Sequence, residues 1–307
     1  MHSARALLLL LLAVAACRGR ATGAPPLRLR ARTVSVAGVR LHVREVESRA
    51  HAATLVLHGG PGLDHTYMRP WFDDLRDVTR VLYVDLRGHG RSSPPPDGEG
   101  YTIQAAADDL ALMIEREGIG PADVIAHDFG ATVALSLAAR HQGAVRRMVL
   151  IAPLRDGAQV RDIGRRSQEA LGAEGWRAIQ ALSTPQGTLR DAHDLPTLFR
   201  RLGPMWWHRT PSDATIRALT GTMVYRPEAD ANFLAAVRRW NAVLLAPEVR
   251  APTLVLSGEH DRTILPSESR ALAEALPHGT YAQIPAAGHL PFVERTSDTL
   301  RAVRGFR

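Results

Sequence analysis

Short apolar runs recur along the chain with the lengths of β-strands. Residues 33–36 and 39–46 flank an Ala-Gly pair and predict a β-hairpin. Four later runs predict buried parallel strands, because each is almost continuously apolar and too short for a helix. They occupy residues 53–57, 80–85, 123–126 and 148–151. Helical stretches at 103–117 and 132–140 separate the strands, and this alternation predicts a parallel α/β sheet covered on both faces.

The pattern changes after Pro153 and returns near the C-terminus. Residues 154–246 contain helical segments and no convincing strand, whereas strands resume at 253–256 and 280–284 before a last helix at 292–303. We therefore predict one core, a mostly parallel eight-stranded sheet flanked by helices, with a helical cap insertion. The core is predicted at residues 33–153 and 247–307, and the cap at residues 154–246.

The N-terminal segment has the pattern of an export signal. An arginine precedes an apolar run at residues 6–16, which is too short to span a bilayer as a helix. The run ends in VAAC at residues 14–17, which resembles a bacterial lipobox. We predict a lipoprotein-type signal peptide at 1–16, a linker at 17–32, and a lipid anchor on Cys17 at the periplasmic side of the cell envelope. Cleavage as an ordinary secretory signal, which leaves a secreted or periplasmic protein, is the alternative.

Composition excludes several other classes of protein. The chain has 307 residues, of which 45% are hydrophobic and 22% charged, as in an ordinary globular protein. The net charge is +7, and all 38 basic residues are arginines, but they are interspersed with 31 acids. We therefore predict no nucleic-acid partner. Because Cys17 is the single cysteine, the chain has no intramolecular disulfide and no two-cysteine metal site.

Two motifs follow predicted strands in the first half of the chain. Residues 58–62 read HGGPG, and their glycines allow a sharp turn that leaves backbone N–H groups facing a substrate oxygen. Residues 126–130 read AHDFG and lie between a strand and a helix, with Asp128 at the centre. A reactive side chain held at such a turn is presented to a substrate.

Two further motifs follow in the second half. Residues 257–261 read SGEHD after a predicted strand and end in Asp261, and residues 288–291 read GHLP and contain His289. The order along the chain is therefore Asp128, Asp261 and His289. A carboxylate that orients a histidine is the usual arrangement for a general base in nucleophilic catalysis.

Together these motifs resemble the α/β-hydrolase fold superfamily. AHDFG stands at the nucleophile elbow, HGGPG matches proline iminopeptidase-like hydrolases, and an elbow aspartate is shared with epoxide hydrolases and haloalkane dehalogenases. The resemblance implies Asp128 as nucleophile, His289 as base and Asp261 as the acid that orients it. It also implies an oxyanion hole from the N–H groups of Gly60 and Phe129. No metal and no organic cofactor is implied.

Two other acids compete with Asp261 for the position beside His289. Glu259 lies in the same turn, and Asp156 follows an earlier strand, where some dehalogenases place their acid. The sequence leaves these alternatives open.

An aspartate at the elbow changes the expected reaction. A carboxylate is ionised at neutral pH unless it is desolvated, so it needs no base to activate it. Its attack on an ester would give an anhydride, whereas its attack on an sp³ carbon gives a stable alkyl ester. We therefore predict a hydrolase that forms an alkyl ester on Asp128, which a water activated by His289 then hydrolyses. The predicted partner is a small apolar substrate.

The leaving group separates two versions of this prediction. Haloalkane dehalogenases commonly hold the halide with a tryptophan and an asparagine where this chain has Phe129 and Gly60. Epoxide opening instead needs a proton donor, and Tyr225 is the only tyrosine in the predicted cap. We predict an epoxide hydrolase-like enzyme with Tyr225 and Trp207 at the substrate. In the dehalogenase-like alternative a cap tryptophan replaces the missing donors, from Trp206, Trp207 or Trp240.

Two further alternatives come from the HGGPG motif and from the changed elbow. The first is an iminopeptidase-like or esterase relative. Iminopeptidases recognise a substrate amino terminus through acidic cap residues, for which Glu169, Glu174 and Glu228 are candidates. The second is a catalytically silent ligand-binding protein, which the complete set of Asp128 and His289 with an acid argues against.

Overall fold

A computed structural model describes residues 28–185 and 187–306 of the protein. The predicted signal peptide at 1–16 and the predicted lipidation site Cys17 lie outside the described residues. Among the helices of the described ranges, none combines the length and the apolar character that a bilayer span requires.

One sheet forms the centre of the molecule, with its strands in the order β1-β2-β4-β3-β5-β6-β7-β8. β1 and β2 form an antiparallel hairpin, β2 is antiparallel to β4, and every other pairing is parallel. The predicted eight-stranded, mostly parallel sheet is confirmed. Its strands are β1 (Leu29–Val36), β2 (Val39–Val46), β3 (Ala53–Leu57), β4 (Arg80–Val84), β5 (Ala122–His127), β6 (Val145–Ile151), β7 (Thr253–Gly258) and β8 (Gly279–Ile284).

Helices cover both faces of the sheet, and the segment between β6 and β7 is helical, as the pattern predicts. The helices before this segment are α1 (Ile103–Arg116) and α2 (Phe129–Arg140). Those within it are α3 (Ala158–Leu182), α4 (Leu195–Arg201), α5 (Gly203–Trp206), α6 (Asp213–Thr220), α7 (Pro227–Val237) and α8 (Ala242–Leu245). Those after it are α9 (Pro266–Ala275), α10 (Pro291–Glu294) and α11 (Thr296–Gly305).

The first strand corrects the predicted linker. β1 begins at Leu29, so residues 29–32 belong to the sheet and not to a tether at 17–32. Leu29 pairs with Val46, and Arg32 forms ion pairs from the strand with Glu45 and Glu117. β1 is the edge strand of the sheet, and charged side chains such as these arginines are common on edge strands.

Two predicted helices also differ from the structure. The helix predicted at 132–140 begins at Phe129, immediately after Asp128. The helix predicted at 292–303 is two helices, because Arg295 leaves the helical region with φ −137° and ψ 55°.

Apolar side chains pack against both faces of the sheet. In β3, Leu55 and Leu57 face one cluster with α1 and α2, whereas Val56 faces the other cluster with Tyr67 and Phe292. Burial on both faces is what requires nearly continuous apolar strands. Because β3, β5 and β7 run parallel, the segments after their carboxyl ends meet at one edge of the sheet.

Candidate active site

Asp128 occupies the tight turn between β5 and α2. Its φ of 50° and ψ of −116° lie outside the usual regions for a residue with a side chain, and such conformations cost about 1–3 kcal/mol. Its side chain makes no capping bond to α2, so it is free for another role. The turn needs Gly130, because a Cβ there would lie 2.5 Å from the carbonyl oxygen of His58. The strained turn therefore presents the carboxyl next to the 58–62 loop.

One oxygen of the Asp128 carboxyl is already bound by the backbone. The N–H of Gly60 donates to Oδ2 over 3.0 Å, and Gly60 has a φ of +126°, which favours glycine. Burial raises the pKa of Asp128, against the lowering effects of His289 and of the N–H groups of Gly60 and Phe129. The result is a buried carboxyl that is oriented by backbone N–H groups.

His289 is held by Asp261. Nδ1–H of His289 donates to Oδ2 of Asp261 over 2.9 Å, and Oδ1 of Asp261 accepts the N–H groups of Thr263 and Ile264 at 2.8 and 3.0 Å. Burial lowers the pKa of His289, but the carboxylates of Asp261 and Asp128 outweigh it and raise the pKa overall. With its hydrogen on Nδ1, neutral His289 has a free lone pair on Nε2 for a general base.

The competing acids are engaged elsewhere. Glu259 is exposed and accepts the N–H of Ala286 over 3.0 Å. Asp156 forms an ion pair with Arg155 and accepts the N–H of Ala158. Of the three candidates, Asp261 is the one hydrogen-bonded to His289.

A buried hydrogen-bonded chain, not foreseen from the sequence, links the 58–62 loop to His289. The N–H of Gly59 donates to the hydroxyl of Tyr67 over 2.6 Å, and this hydroxyl lies 2.7 Å from Nδ1 of His127. Nε2 of His127 lies 3.0 Å from the carbonyl oxygen of His289. Since a carbonyl only accepts, His127 carries its hydrogen on Nε2, and Tyr67 donates to Nδ1. Burial lowers the pKa of His127 well below its usual value, so the chain is neutral.

Asp128 and His289 open into a cavity of about 340 Å³ between the core and the segment that joins β6 to β7. Its wall is mainly apolar, with side chains that include Leu154, Ile163, Ile179, Leu198, Phe199 and Leu234. A small apolar molecule therefore fits beside the two reactive groups.

Tyr225 and Trp207, the predicted substrate contacts, have different surroundings. Tyr225 lines the cavity, where its hydroxyl donates to Asp230 and accepts the N–H of Leu189 over 3.0 Å. Trp207 does not line it and is buried, with its indole N–H 3.2 Å from the carbonyl oxygen of Phe199. Its neighbour Trp206 lines the cavity instead, with its ring centroid 6.1 Å from that of His289. The side chain of Trp207 therefore does not reach the cavity in which the substrate contact was expected.

Asp230 is a second carboxyl in the cavity wall, and the sequence did not single it out. Burial raises its pKa to about 6, against the lowering effect of the Tyr225 hydroxyl. The other acidic candidates of this region, Glu169, Glu174 and Glu228, are exposed and do not line the cavity.

One group of side chains outside the cavity has the composition of a metal site. Ligand atoms of His42, His65 and Asp85 lie within 4.8 Å of one another. However, Oδ1 of Asp85 accepts both the backbone N–H and Nδ1–H of His65, and Oδ2 accepts the N–H of Arg91. The carboxylate is thus used in holding the loop after β4, and this cluster is structural.

A family model of the α/β-hydrolase fold matches residues 54–296. This match spans most of the chain, and it includes the elbow, the acid turn and His289. The chain belongs to the α/β-hydrolase fold family.

Individual relatives differ in chemistry. A pimeloyl-(acyl-carrier protein) methyl ester esterase from Chromobacterium violaceum is 28% identical over 84% of this chain and 95% of its own length. An epoxide hydrolase from Caballeronia sordidicola is 34% identical over 34% of this chain and 31% of its own. The structure of a proline iminopeptidase-related protein from Thermus thermophilus, 24% identical, superposes with a TM-score of 0.73 over 91% of this chain and 96% of that one. The chain is therefore a hydrolase of this family.

Proposed function

We propose that the protein is an epoxide hydrolase-like enzyme that forms a covalent alkyl ester on Asp128. The observation that carries this proposal is the state of the Asp128 carboxyl. Its Oδ2 accepts the N–H of Gly60, the N–H of Phe129 also acts on the carboxyl, and the group lies in the cavity wall together with His289. Such a carboxylate is oriented for attack through one oxygen.

The first step opens the epoxide ring. Oδ1 of Asp128 attacks a ring carbon, the C–O bond of the ring breaks, and the ring oxygen takes a proton. The product is an ester between Asp128 and the substrate. Attack at an sp³ carbon requires no base, so His289 is not needed for this step.

The second step hydrolyses the ester. Nε2 of His289 takes a proton from a water, which attacks the Cγ carbon of the Asp128 ester. The N–H groups of Gly60 and Phe129 stabilise the negative charge that forms on Oδ2. Collapse of this intermediate releases the diol, which takes the proton from His289, and restores the carboxylate.

Ester hydrolysis is less compatible with these residues than the relatives alone would suggest. One relative that matches over most of the chain is named an esterase, whereas the epoxide hydrolase from Caballeronia sordidicola matches over about a third. However, attack of Asp128 on an ester carbonyl would give an anhydride. The aspartate at the elbow is therefore our reason for favouring epoxide opening over ester hydrolysis.

Haloalkane dehalogenation is the second candidate, and Trp206 is the observation in its favour. Its indole N–H has no acceptor among the described residues, and its ring lies beside His289 in the cavity wall. An indole N–H is a suitable donor to a departing halide. The carboxyl of Asp230 in the same wall opposes an anion, so we rank this candidate below epoxide opening.

A single-turnover experiment in heavy-oxygen water tests the covalent mechanism. With enzyme in excess over styrene oxide, cyclohexene oxide or the matching alkyl bromides, we expect the first product to carry ordinary oxygen. The heavy oxygen should enter the carboxyl of Asp128, because water attacks Cγ and not the substrate. Mass spectrometry of the product and of the peptide that contains Asp128 measures both.

The label also separates the alternatives. Heavy oxygen in the first product, with none in Asp128, contradicts a covalent ester. Turnover of the bromides without the epoxides favours the Trp206 candidate. Hydrolysis of simple esters with neither substrate turned over overturns the proposal in favour of an esterase.

We further propose export and lipid anchoring through Cys17, on the basis of the VAAC sequence at residues 14–17. A Cys17→Ser protein is then expected to move from the membrane fraction to the soluble fraction, because it lacks the thiol that carries the lipid. Cell fractionation and metabolic labelling with a fatty acid measure this change. Unchanged membrane attachment of the Cys17→Ser protein would contradict the anchor.

A further inference from the structure

The proposed ring opening releases an oxygen that needs a proton, and this inference rests on that proposed function. Tyr225 is the phenol expected to supply it, but its hydroxyl hydrogen is directed to Oδ2 of Asp230. The N–H of Leu189 donates to the same hydroxyl over 3.0 Å. When Asp230 is ionised, Tyr225 therefore has no hydrogen free for a substrate.

One additional proton changes this arrangement. If Asp230 is protonated, its own O–H donates either to Tyr225 or directly to a molecule in the cavity. In the first case the phenol hydrogen is released to the substrate or to the carbonyl oxygen of Leu189, which lies 3.3 Å from the hydroxyl. Both side chains line the cavity that contains Asp128. They also meet at the 58–62 loop, because a Cβ on Gly62 would lie 2.7 Å from Cβ of Asp230 and 2.7 Å from Cε2 of Tyr225. This loop also supplies the N–H of Gly60 that binds Asp128.

We propose that Asp230 and Tyr225 form one acid, in which the Asp230 carboxyl supplies the proton that the epoxide oxygen takes as Asp128 attacks. The bond from Oδ1 to the ring carbon forms, the ring C–O bond breaks, and its electron pair takes the proton. Asp230 is left as a carboxylate and regains a proton from solvent. If the Asp230 carboxyl faces the substrate, Tyr225 holds Asp230 in place. If the Tyr225 hydroxyl faces the substrate, Tyr225 relays the proton.

The charges around Asp230 are consistent with this role. Arg226 precedes α7 but donates through Nε to the carbonyl oxygen of Gly90, and Glu228 is exposed. Beyond the 58–62 loop, Asp64 accepts Arg91 and the N–H of Val224. Across the cavity the ionisable groups are Asp128, His289, His127 and Tyr67, and the last two are joined to each other by a hydrogen bond. No described basic group forms an ion pair with Asp230, and burial raises its pKa to about 6.

The pair also selects a class of substrate. A departing alkoxide is strongly basic and gains from a proton donor, whereas a departing halide needs none and is repelled by a carboxylate. The acid therefore suits small epoxides with apolar substituents that fit a cavity of about 340 Å³.

Alkylation of Asp128 is best measured in a His289→Gln background, where the ester is not hydrolysed. With styrene oxide as the probe, the alkylation rate is expected to fall about tenfold for each pH unit above about 6, as Asp230 loses its proton. Asp230→Asn is expected to lower this rate by about 10²-fold or more and to remove the decline above pH 6. Tyr225→Phe should lower the rate but keep the decline. Intact-protein mass spectrometry against time gives each rate.

Matched variants separate this role from a structural one. Glu228→Gln, an exposed change on the same helix, should leave the rate and its pH profile unchanged, and Asp230→Glu should restore the decline. If Asp230→Asn unfolds, as shown by its melting curve, the profile of Asp230→Glu remains the test. An unchanged rate and decline in Asp230→Asn, or no decline in Asp230→Glu and in the parent, overturns the acid while leaving the ester mechanism intact. Absence of any ester in the parent overturns the ester mechanism and the acid together.

Discussion

His289→Gln is expected to stop after the first chemical step, with the alkyl ester of Asp128 trapped on the protein. Attack on the epoxide uses the Asp128 carboxylate, whereas hydrolysis of the ester uses Nε2 of His289 as base. Loss of a general base slows its step by about 10²–10⁴-fold, so steady-state turnover should fall by that factor. Intact-mass analysis should show one equivalent of substrate added, and fragmentation should locate it on Asp128.

An exposed histidine provides the matched control for this result. His278 lies at the surface outside the cavity, and His278→Gln should retain full turnover and show no added mass. If His289→Gln loses turnover without accumulating an ester, then His289 acts in the first step and the order proposed for the two steps is wrong.

The pKa of His289 also predicts how the rate of ester hydrolysis changes with pH. Hydrolysis of the ester requires the neutral imidazole. In the free enzyme the carboxylates of Asp261 and Asp128 hold the pKa of His289 above its ordinary value of 6.5 despite the opposing effect of burial, and in the ester only Asp261 remains charged. Ester hydrolysis should therefore accelerate as pH rises through this pKa. Since ring opening is expected to slow over the same range, the slow step should change from hydrolysis at low pH to ring opening at high pH.

The sheet could be predicted from the sequence because its strands are apolar on both faces. Leu55, Val56 and Leu57 are all buried, so β3 appears as a continuous apolar run. The start of β1 could not be predicted from the sequence, for the opposite reason. Its first residues alternate Leu29 and Ala31 with arginines, and the arginines resemble a charged linker until their partners on β2 and after α1 are known.

The catalytic motifs could be predicted for a related reason, whereas the second carboxyl could not. Asp128, Asp261 and His289 each follow a strand end, and parallel strands bring such ends together. Glu228 and Asp230 are both acids on α7, two positions and about 200° apart around the helix. Which of them faces the cavity depends on how α7 lies against the 58–62 loop, and no local pattern contains that information.

Pairs that are distant in sequence were missed for the same reason. Tyr67 and His127 are joined by a hydrogen bond of 2.7 Å across sixty positions of the chain. The two neighbouring tryptophans show that one position along the chain can decide which side chain lines the cavity. α5 ends at Trp206, and the extended backbone of Trp207 directs the next side chain away from the cavity.

Asp128→Ala is expected to abolish alkylation while making the protein more stable. Removal of a nucleophile costs about 10⁴-fold or more in turnover, because nothing else in the site forms the ester. The opposite effect on stability follows from the raised pKa of Asp128, which is caused first by burial. A carboxyl whose pKa is higher in the folded protein than in the unfolded chain costs stability as the pH rises above the unfolded value, and the cost is complete above the folded value.

The gain in stability should therefore depend on pH. Near pH 8 the folded parent holds an ionised buried carboxylate, and Asp128→Ala should melt about 2–4 °C higher, which corresponds to about 1 kcal/mol for a protein of this size. As the pH falls through the raised pKa of Asp128, the carboxyl gains a proton in the folded parent and the difference should shrink. Calorimetry at pH 8 and at lower pH measures it, with Asp74→Ala at the exposed surface as the control that changes neither activity nor melting. An Asp128→Ala protein that melts lower than the parent at pH 8 would show that this carboxylate stabilises the fold. In that case the strained turn and the buried charge would contribute to the stability of the fold and would not lower it for the sake of the reactive group.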